Sequence, residues 1–139
     1  MSEAPTSEML TSEALSEGGH ALNILLVSGG HGPAHAAFTL AAGAAALGRP
    51  VLVFAMGAGC RALLADVENE KQDALVRSRG VAGLAELRGA AVELGTRLVA
   101  CEAALRGEGL DRAALLPGVE VAGVVTFLEA ARGRDLVSL

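Results

Sequence analysis

Few side chains in this 139-residue chain could do covalent chemistry or hold a soft metal: Cys60, Cys101, His31 and His35. Cys101 is the best placed. It closes the short apolar run Leu98-Val99-Ala100 and is followed at once by the helix-permissive Glu102-Ala103-Ala104-Leu105-Arg106. That pattern predicts a buried strand delivering a thiol to the start of a helix. Backbone N–H groups at a helix start favour a negative charge, so such a thiol tends toward thiolate, the form that attacks sulfur or binds metal. The alternative stays open, because free cysteine is among the most buried residue types and often only fills a core. Glu102 would work against the thiolate unless its carboxylate points elsewhere, whereas His31 or His35 could act as base or cation beside it. Cys60, after a second apolar run, could be a resolving thiol, a second ligand or packing; packing is the reading we favour.

Together the two histidines and two cysteines would suit zinc by number and softness. The spacing is poor, however, since no pair of ligands is expected on one element. His31 and His35 are four apart, but Pro33 between them argues against a shared helical face. No metal or other cofactor is expected. The loop Gly29-Gly30-His31-Gly32-Pro33 invites a phosphate-binding reading that fails in detail. It lacks G-x-x-x-x-G-K-[ST], and His35 stands where a dinucleotide fingerprint has its third glycine. A flavin would want aromatic stacking, and the aromatics are only Phe38, Phe54 and Phe127. Gly29, Gly30, Met56 and Gly57 are therefore expected to border a substrate pocket without cradling a nucleotide.

The elements that must position these residues alternate. Asn23–Ser28 reads as a central parallel strand, and a helix opened by Pro33 runs to Leu47 and stops at Gly48. Val51–Phe54 is a second strand, followed by a short helix over Arg61–Ala65. Asp66–Arg79 is polar and without period, so an exposed flap is expected. Leu84, Leu87, Ala91 and Leu94 mark an amphipathic helix closed by Gly95. After the Cys101 strand and a short helical segment come a strand over Val119–Val121, a helix over Gly123–Arg132 and a last, edge strand over Asp135–Leu139. Strands alternating with helices imply an α/β, flavodoxin-like three-layer fold with a five-stranded parallel sheet. The expected order is 2-1-3-4-5, which would put the loop Ser28–His35 beside Cys101 at the carboxyl edge, with Cys60 on the same edge.

Composition narrows the partners. The chain is 52% hydrophobic with a mean hydropathy of +0.46. Its most apolar stretch, Ala34 to Cys60, is broken by Arg49-Pro50 and built largely of alanine and glycine, so no transmembrane helix is expected. Glu3, Glu8, Glu13 and Glu17 take four of the 16 acidic residues into the first nineteen positions, leaving 12 acidic against 11 basic residues elsewhere. Residues 1–20 therefore read as an acidic, Ser/Glu-rich mobile tail, with no basic region of a secretory signal, ahead of one domain over 21–139. The balance gives no footprint for nucleic acid, and without Trp or Tyr there is little to stack bases. Two free-standing cysteines suit a reducing, cytoplasmic setting. The apolar surplus suggests a subunit interface.

Two stretches resemble the DsrE/DsrF-like family of sulfur-relay proteins, to which TusD also belongs. One is Gly95-Thr96-Arg97-Leu98-Val99-Ala100-Cys101, followed by Gly109-Leu110 and then Leu115-Leu116-Pro117-Gly118-Val119-Glu120-Val121-Ala122-Gly123, Phe127 and Leu128. The other is Ala44–Phe54, with Gly48, Val51 and Phe54 in place. The resemblance covers about residues 22–139. It implies the flavodoxin-like fold, a trimer or hexamer, and Cys101 as the position that carries persulfide sulfur, with other sulfur carriers such as a TusA-like donor or acceptor as partners. Two departures alter the implied pocket. Ala55-Met56-Gly57-Ala58-Gly59 replaces aromatic residues after the second strand, and Glu102–Arg106 replaces the methionine- and serine-rich run after the cysteine. The expected function is thus a sulfur carrier or sulfurtransferase subunit using Cys101 with His31 or His35. The alternatives are a non-catalytic oligomeric or regulatory subunit with a structural cysteine, and a small-ligand or metal site at the sheet edge.

Overall fold

A computed structural model describes residues 20–67 and 70–139, so the acidic segment, apart from His20, lies outside the described residues. Five runs rich in Val, Leu and Ile pair as one parallel sheet: β1 (Leu22–Leu26), β2 (Val51–Ala55), β3 (Arg97–Cys101), β4 (Glu120–Ala122) and β5 (Asp135–Ser138). Among the described residues five helices accompany them: α1 (His31–Ala46), α2 (Glu70–Ser78), α3 (Leu84–Glu93), α4 (Glu102–Gly107) and α5 (Val124–Ala131). Two 3₁₀ segments, Gly57–Leu63 and Arg112–Ala114, complete the connections.

The strand order is β4-β3-β2-β1-β5, not the expected 2-1-3-4-5. β1 pairs with β2 and β5, and β3 pairs with β2 and β4. The expectation put the reversal of direction after β2, whereas the chain steps the same way through β2, β3 and β4 and reverses only on the way to β5. Parallel crossovers are right-handed, so steps in one direction leave their helices on one face and a reversed step puts its helix on the other. One face of the sheet, the thick face, is accordingly covered by α1, α3 and the 3₁₀ segment Gly57–Leu63. The other, thin face is covered by α5.

Strand side chains alternate between these faces. Leu22, Ile24, Leu26, Val51, Val53, Ala55, Leu98 and Ala100 point into the thick-face core with Phe38, Leu63 and Leu84. Leu52, Phe54, Val99 and Cys101 point the other way and meet Phe127 of α5. Alanines at 34, 37 and 41 are buried along α1, and such small side chains let a helix lie close on a sheet.

Three local expectations are corrected. α1 begins at His31, two residues before Pro33, because a proline in the first turn gives up only an N–H that has no helical partner there. The stretch read as a flap contains α2, a helix that buries no residue and so carries no apolar stripe to read. The segment after β2 is a 3₁₀ turn from Gly57 rather than a helix from Arg61. Among the described residues, no helix is long and apolar enough to cross a membrane.

Candidate functional site

β3 lies between β2 and β4, and its alternation aims Val99 and Cys101 at the thin face. Cys101 ends the strand, pairs in register with Ala122 of β4, and leads directly into α4. It belongs to a cluster of buried side chains with Leu52, Phe54, Val99 and Phe127, against which Leu25, Met56, Ala104 and Ala122 also pack. The residue is 4% exposed. This corrects the expectation of a thiol presented at an open crevice mouth: Cys101 ends a strand that lies between two neighbours and its side chain falls within a buried cluster. The Glu102 carboxylate, next in sequence, is held by Arg106 at 3.0 Å and Arg112 at 3.9 Å, so its negative charge is matched.

Cys60 lies on the opposite side of the sheet, in the thick-face core, and is 0% exposed. Its S–H donates to the Ala55 carbonyl at 3.4 Å. Burial pushes this thiol up to about 11, with smaller upward contributions from Cys101 and Glu108 and a partial offset from a Cys101 backbone hydrogen bond. The 3₁₀ segment carrying Cys60 is pinned on two sides. Gly59 sits so tightly on the Leu26 backbone carbonyl that any side chain would overlap it. Buried Arg88 of α3 donates to the carbonyls of Ala62 at 2.9 Å and Leu64 at 2.7 Å. Burial lowers the pKa of that guanidinium, and the carbonyls are the hydrogen-bond partners that make its burial tolerable. The two thiols belong to different buried clusters, yet Cys101 lies near enough to act on the Cys60 thiol through its backbone and its charge.

The histidines are occupied elsewhere. His31 and His35 do share a helical face, their rings stacked at 5.2 Å, since Pro33 leaves α1 unbroken. His31 Nε2 lies 2.8 Å from Asp73 Oδ1 of α2, and His35 Nε2 lies 2.9 Å from the Ala82 carbonyl. Asp73 also accepts the Leu84 N–H at 2.7 Å; that bond, with His31, holds its carboxyl below the usual aspartate range. Both rings thus clamp the α2–α3 segment to the thick-face helix α1, with the sheet between them and Cys101. The expected histidine–cysteine pairing is not formed. Among the described residues no three His, Cys, Asp or Glu side chains are grouped to hold a metal.

The expected pocket loop is divided in the same way. Gly29 and Gly30 border a crevice of about 140 Å³ with Ser28, Ala58, Arg61 and Leu84. Met56 packs with the Cys101 cluster instead, and Gly57 makes the turn between them at φ 51°. A Cβ on Gly29 would lie 2.9 Å from that of Ala58, so this glycine serves the contact between two turns. Sequence reasoning passed over three residues that matter here. Arg88 stands at helical spacing between Leu84 and Ala91 on the buried face of α3, which was a readable signal for an inward arginine. Asp73 finds His31 across 42 residues, for which no local pattern exists. Phe127, given no structural role by the sequence, is the one buried residue of α5.

The family model of the DsrE/DsrF-like family matches residues 22–137. No curated protein matches the chain. Among solved structures, the ychN protein from E. coli is similar over 86% of this chain and 99% of its own, at 12% identity and a TM-score of 0.64. A protein of unknown function, MTH1491 from Methanobacterium thermoautotrophicum, is similar over 86% of this chain and 99% of its own, at 21% identity and a TM-score of 0.56. At these identities the likeness concerns the fold.

Proposed function

Since the chain belongs to the DsrE/DsrF-like family, we propose that it is a sulfur-relay subunit carrying sulfane sulfur as a persulfide on Cys101. The Cys101 thiolate attacks the outer sulfur of a donor persulfide, R–S–SH. The donor S–S bond breaks, its electron pair leaves with R–S⁻, and Cys101–S–SH is formed. An acceptor thiolate then attacks the same outer sulfur and releases the Cys101 thiolate, so the cycle consumes no oxidant or reductant. One observation carries the choice of residue. Cys101 ends β3 within the stretch that resembles the family's cysteine motif and lies in the smaller thin-face cluster, while Cys60 is fully enclosed in the thick-face core.

Partners follow from the same reading: a sulfur carrier such as a TusA-like donor or acceptor, in a reducing compartment such as the cytoplasm. Further copies of this chain, as a homotrimer or hexamer, are supported by apolar side chains left exposed on both sides of the molecule. They are Leu40, Leu47 and Leu94 among the thick-face helices, and Val124, Val125 and Leu128 on α5. The test is mass spectrometry of the native chain after polysulfide treatment, with a gain of about 32 Da on the peptide holding Cys101 expected. Absence of that adduct under conditions where the thiol accepts an alkylating reagent would remove the proposal. The burial of Cys101 favours one competing reading, a regulatory or oligomeric subunit whose cysteine is structural. On that reading Cys101 reacts with alkylating reagents only when the whole chain unfolds.

A further inference from the structure

A groove crosses the thin face at the starts of the strands. It joins two cavities, of about 100 and 70 Å³, that share Leu52, Arg97 and Ala130. The first opens beside Ala21, Leu22 and Pro50, and the second continues beneath α5 to Val99 and Ala122. Its floor is apolar and its rim is charged. On the rim Arg97 is neutralised by its bidentate pair with Glu120, whereas Arg134 forms no ion pair among the described residues. The carboxylates nearest to Arg134 in sequence, Glu129 and Asp135, are taken by Arg132 and Arg49.

The chain itself enters at the mouth of this groove. Ala21 lines it, the His20 carbonyl accepts from Arg49 Nε at 2.6 Å, and the Leu22 N–H donates to the Pro50 carbonyl at 2.9 Å. Upstream lie residues 1–19, outside the described ones, whose sequence repeats with a period of five. The units are Ser2-Glu3-Ala4-Pro5-Thr6, Ser7-Glu8-Met9-Leu10-Thr11 and Ser12-Glu13-Ala14-Leu15-Ser16. The second and third units each set an apolar pair directly after a carboxylate, and Glu17 follows, with no Lys or Arg in the segment. Read alone, this composition predicts a mobile tail; beside the groove it supplies side chains to bury and negative charge for Arg134. Reach is sufficient. From β1 to β4 is three strand spacings, about 14 Å, and the six residues from Leu15 to Ala21 extend to about 20 Å. Gly18-Gly19 allows the chain to turn back onto the thin face. A segment tethered at the groove's mouth meets it at an effective concentration of roughly millimolar, so a contact of modest intrinsic affinity keeps it seated.

We propose that residues 7–17 dock in this groove of their own protomer, with Leu10 and Leu15 burying in the two cavities and Glu13 and Glu17 facing Arg134. The docked segment closes the amino edge of the thin face and ties the entry to β1 to α5. It leaves the sulfur chemistry alone, because Cys101 ends β3 at the other edge, about 13 Å along the strand from Arg97.

The experiment uses the full native chain with labelled methyl groups. Nuclear Overhauser contacts are expected between the methyls of Leu10 or Leu15 and those of Leu52, Val99 or Ala130. Mixing chains of two labelling patterns separates contacts within one chain from contacts between chains. Cleavage within residues 7–17 by a non-specific protease supplies a rate, each divided by that of a free peptide of the same sequence. The combined change Leu10→Ser and Leu15→Ser should speed it by about tenfold, the effect of leaving a leucine unburied. Arg134→Glu should speed it by about threefold, and adding Glu13→Arg and Glu17→Arg to that variant should restore protection. These substitutions lie on the segment or at an exposed arginine, so the core of the domain is untouched. Absence of the contacts, with cleavage as fast as in the free peptide, overturns the proposal. Contacts found only between differently labelled chains make a second copy's segment the occupant and overturn it too, as does protection that ignores every substitution. Persulfide formation on Cys101 should be the same in all these chains, so failure of the docking and failure of the relay are read separately.

Discussion

The two faces of the sheet each receive one cysteine, and they treat it differently. On the thick face Cys60 is locked beneath α1, α3 and a 3₁₀ turn that Arg88 and Gly59 hold against the strands. On the thin face Cys101 shares a smaller cluster with Leu52, Phe54, Val99 and Phe127 of α5, with Ala130 and Ala131 of that helix packed against it. The same residue type is buried both times, in one case in the larger core and in the other in a cluster of five buried side chains. Burial in a static structure therefore does not separate an inert thiol from a working one. The two are separated by measuring the cost of uncovering each.

Substitution of the anchoring ring on each face gives the largest expected effect on this comparison. Phe38→Ala removes a ring from the close-packed thick-face core and should cost about 3–5 kcal/mol in denaturant unfolding. Phe127→Ala should cost roughly half as much, since α5 can settle into the space left. Equal costs would mean that the thin face is as tightly built as the thick one.

Alkaline pH probes the thick face next. A thiol whose folded pKa is raised contributes stability that is fully present below its unfolded value and is lost as pH rises through the folded value. For Cys60 that window runs from 9.0 to about 11. Replacing Cys60 with Ala should abolish a pH-dependent loss on the order of 2 kcal/mol across it, measured as the difference between the two stability curves. A difference curve that is flat over that range would show the thiol to be less enclosed than it looks.

Much of this was legible in the chain. Strands β1 to β3 show as continuous apolar runs, because strands buried on both faces need no alternation. For the same reason, nothing in Leu98-Val99-Ala100-Cys101 tells which face receives the heavier cover. The order of strands differs from the expected one because the edge that β5 joins is decided by long-range partners. Asp135 is met by Arg49 at 2.8 Å and its carbonyl by Asn23 Nδ2 at 3.4 Å, contacts that no local pattern announces. α2 leaves no pattern because it buries nothing, and the histidine pair is hidden because Pro33, a breaker inside a helix, lies here within the first turn.

A smaller effect is expected from the clamp that joins α2 to the thick face. Asp73→Ala removes the acceptor for both His31 and the Leu84 N–H and should cost about 1–2 kcal/mol, with faster amide exchange confined to α2 and the start of α3. Because the Asp73 carboxyl is held below the usual aspartate range, its contribution is present above the unfolded value and lost as pH falls through the folded one. Acid titration of the variant should lack that part of the loss. The smallest effect belongs to the bidentate Arg97–Glu120 pair at 2.9 and 2.8 Å across β3 and β4. Both side chains are largely exposed, so Arg97→Ala should cost less than about 1 kcal/mol and weaken further in salt.

The most direct measurement compares the two cysteines of the unaltered native chain under one alkylating reagent, with unfolding followed in parallel. Cys101 should be modified at least about tenfold faster than Cys60, at a rate exceeding that of global unfolding. Modification of both at one common rate, equal to that of unfolding, would leave Cys101 a core residue and take the relay away from it.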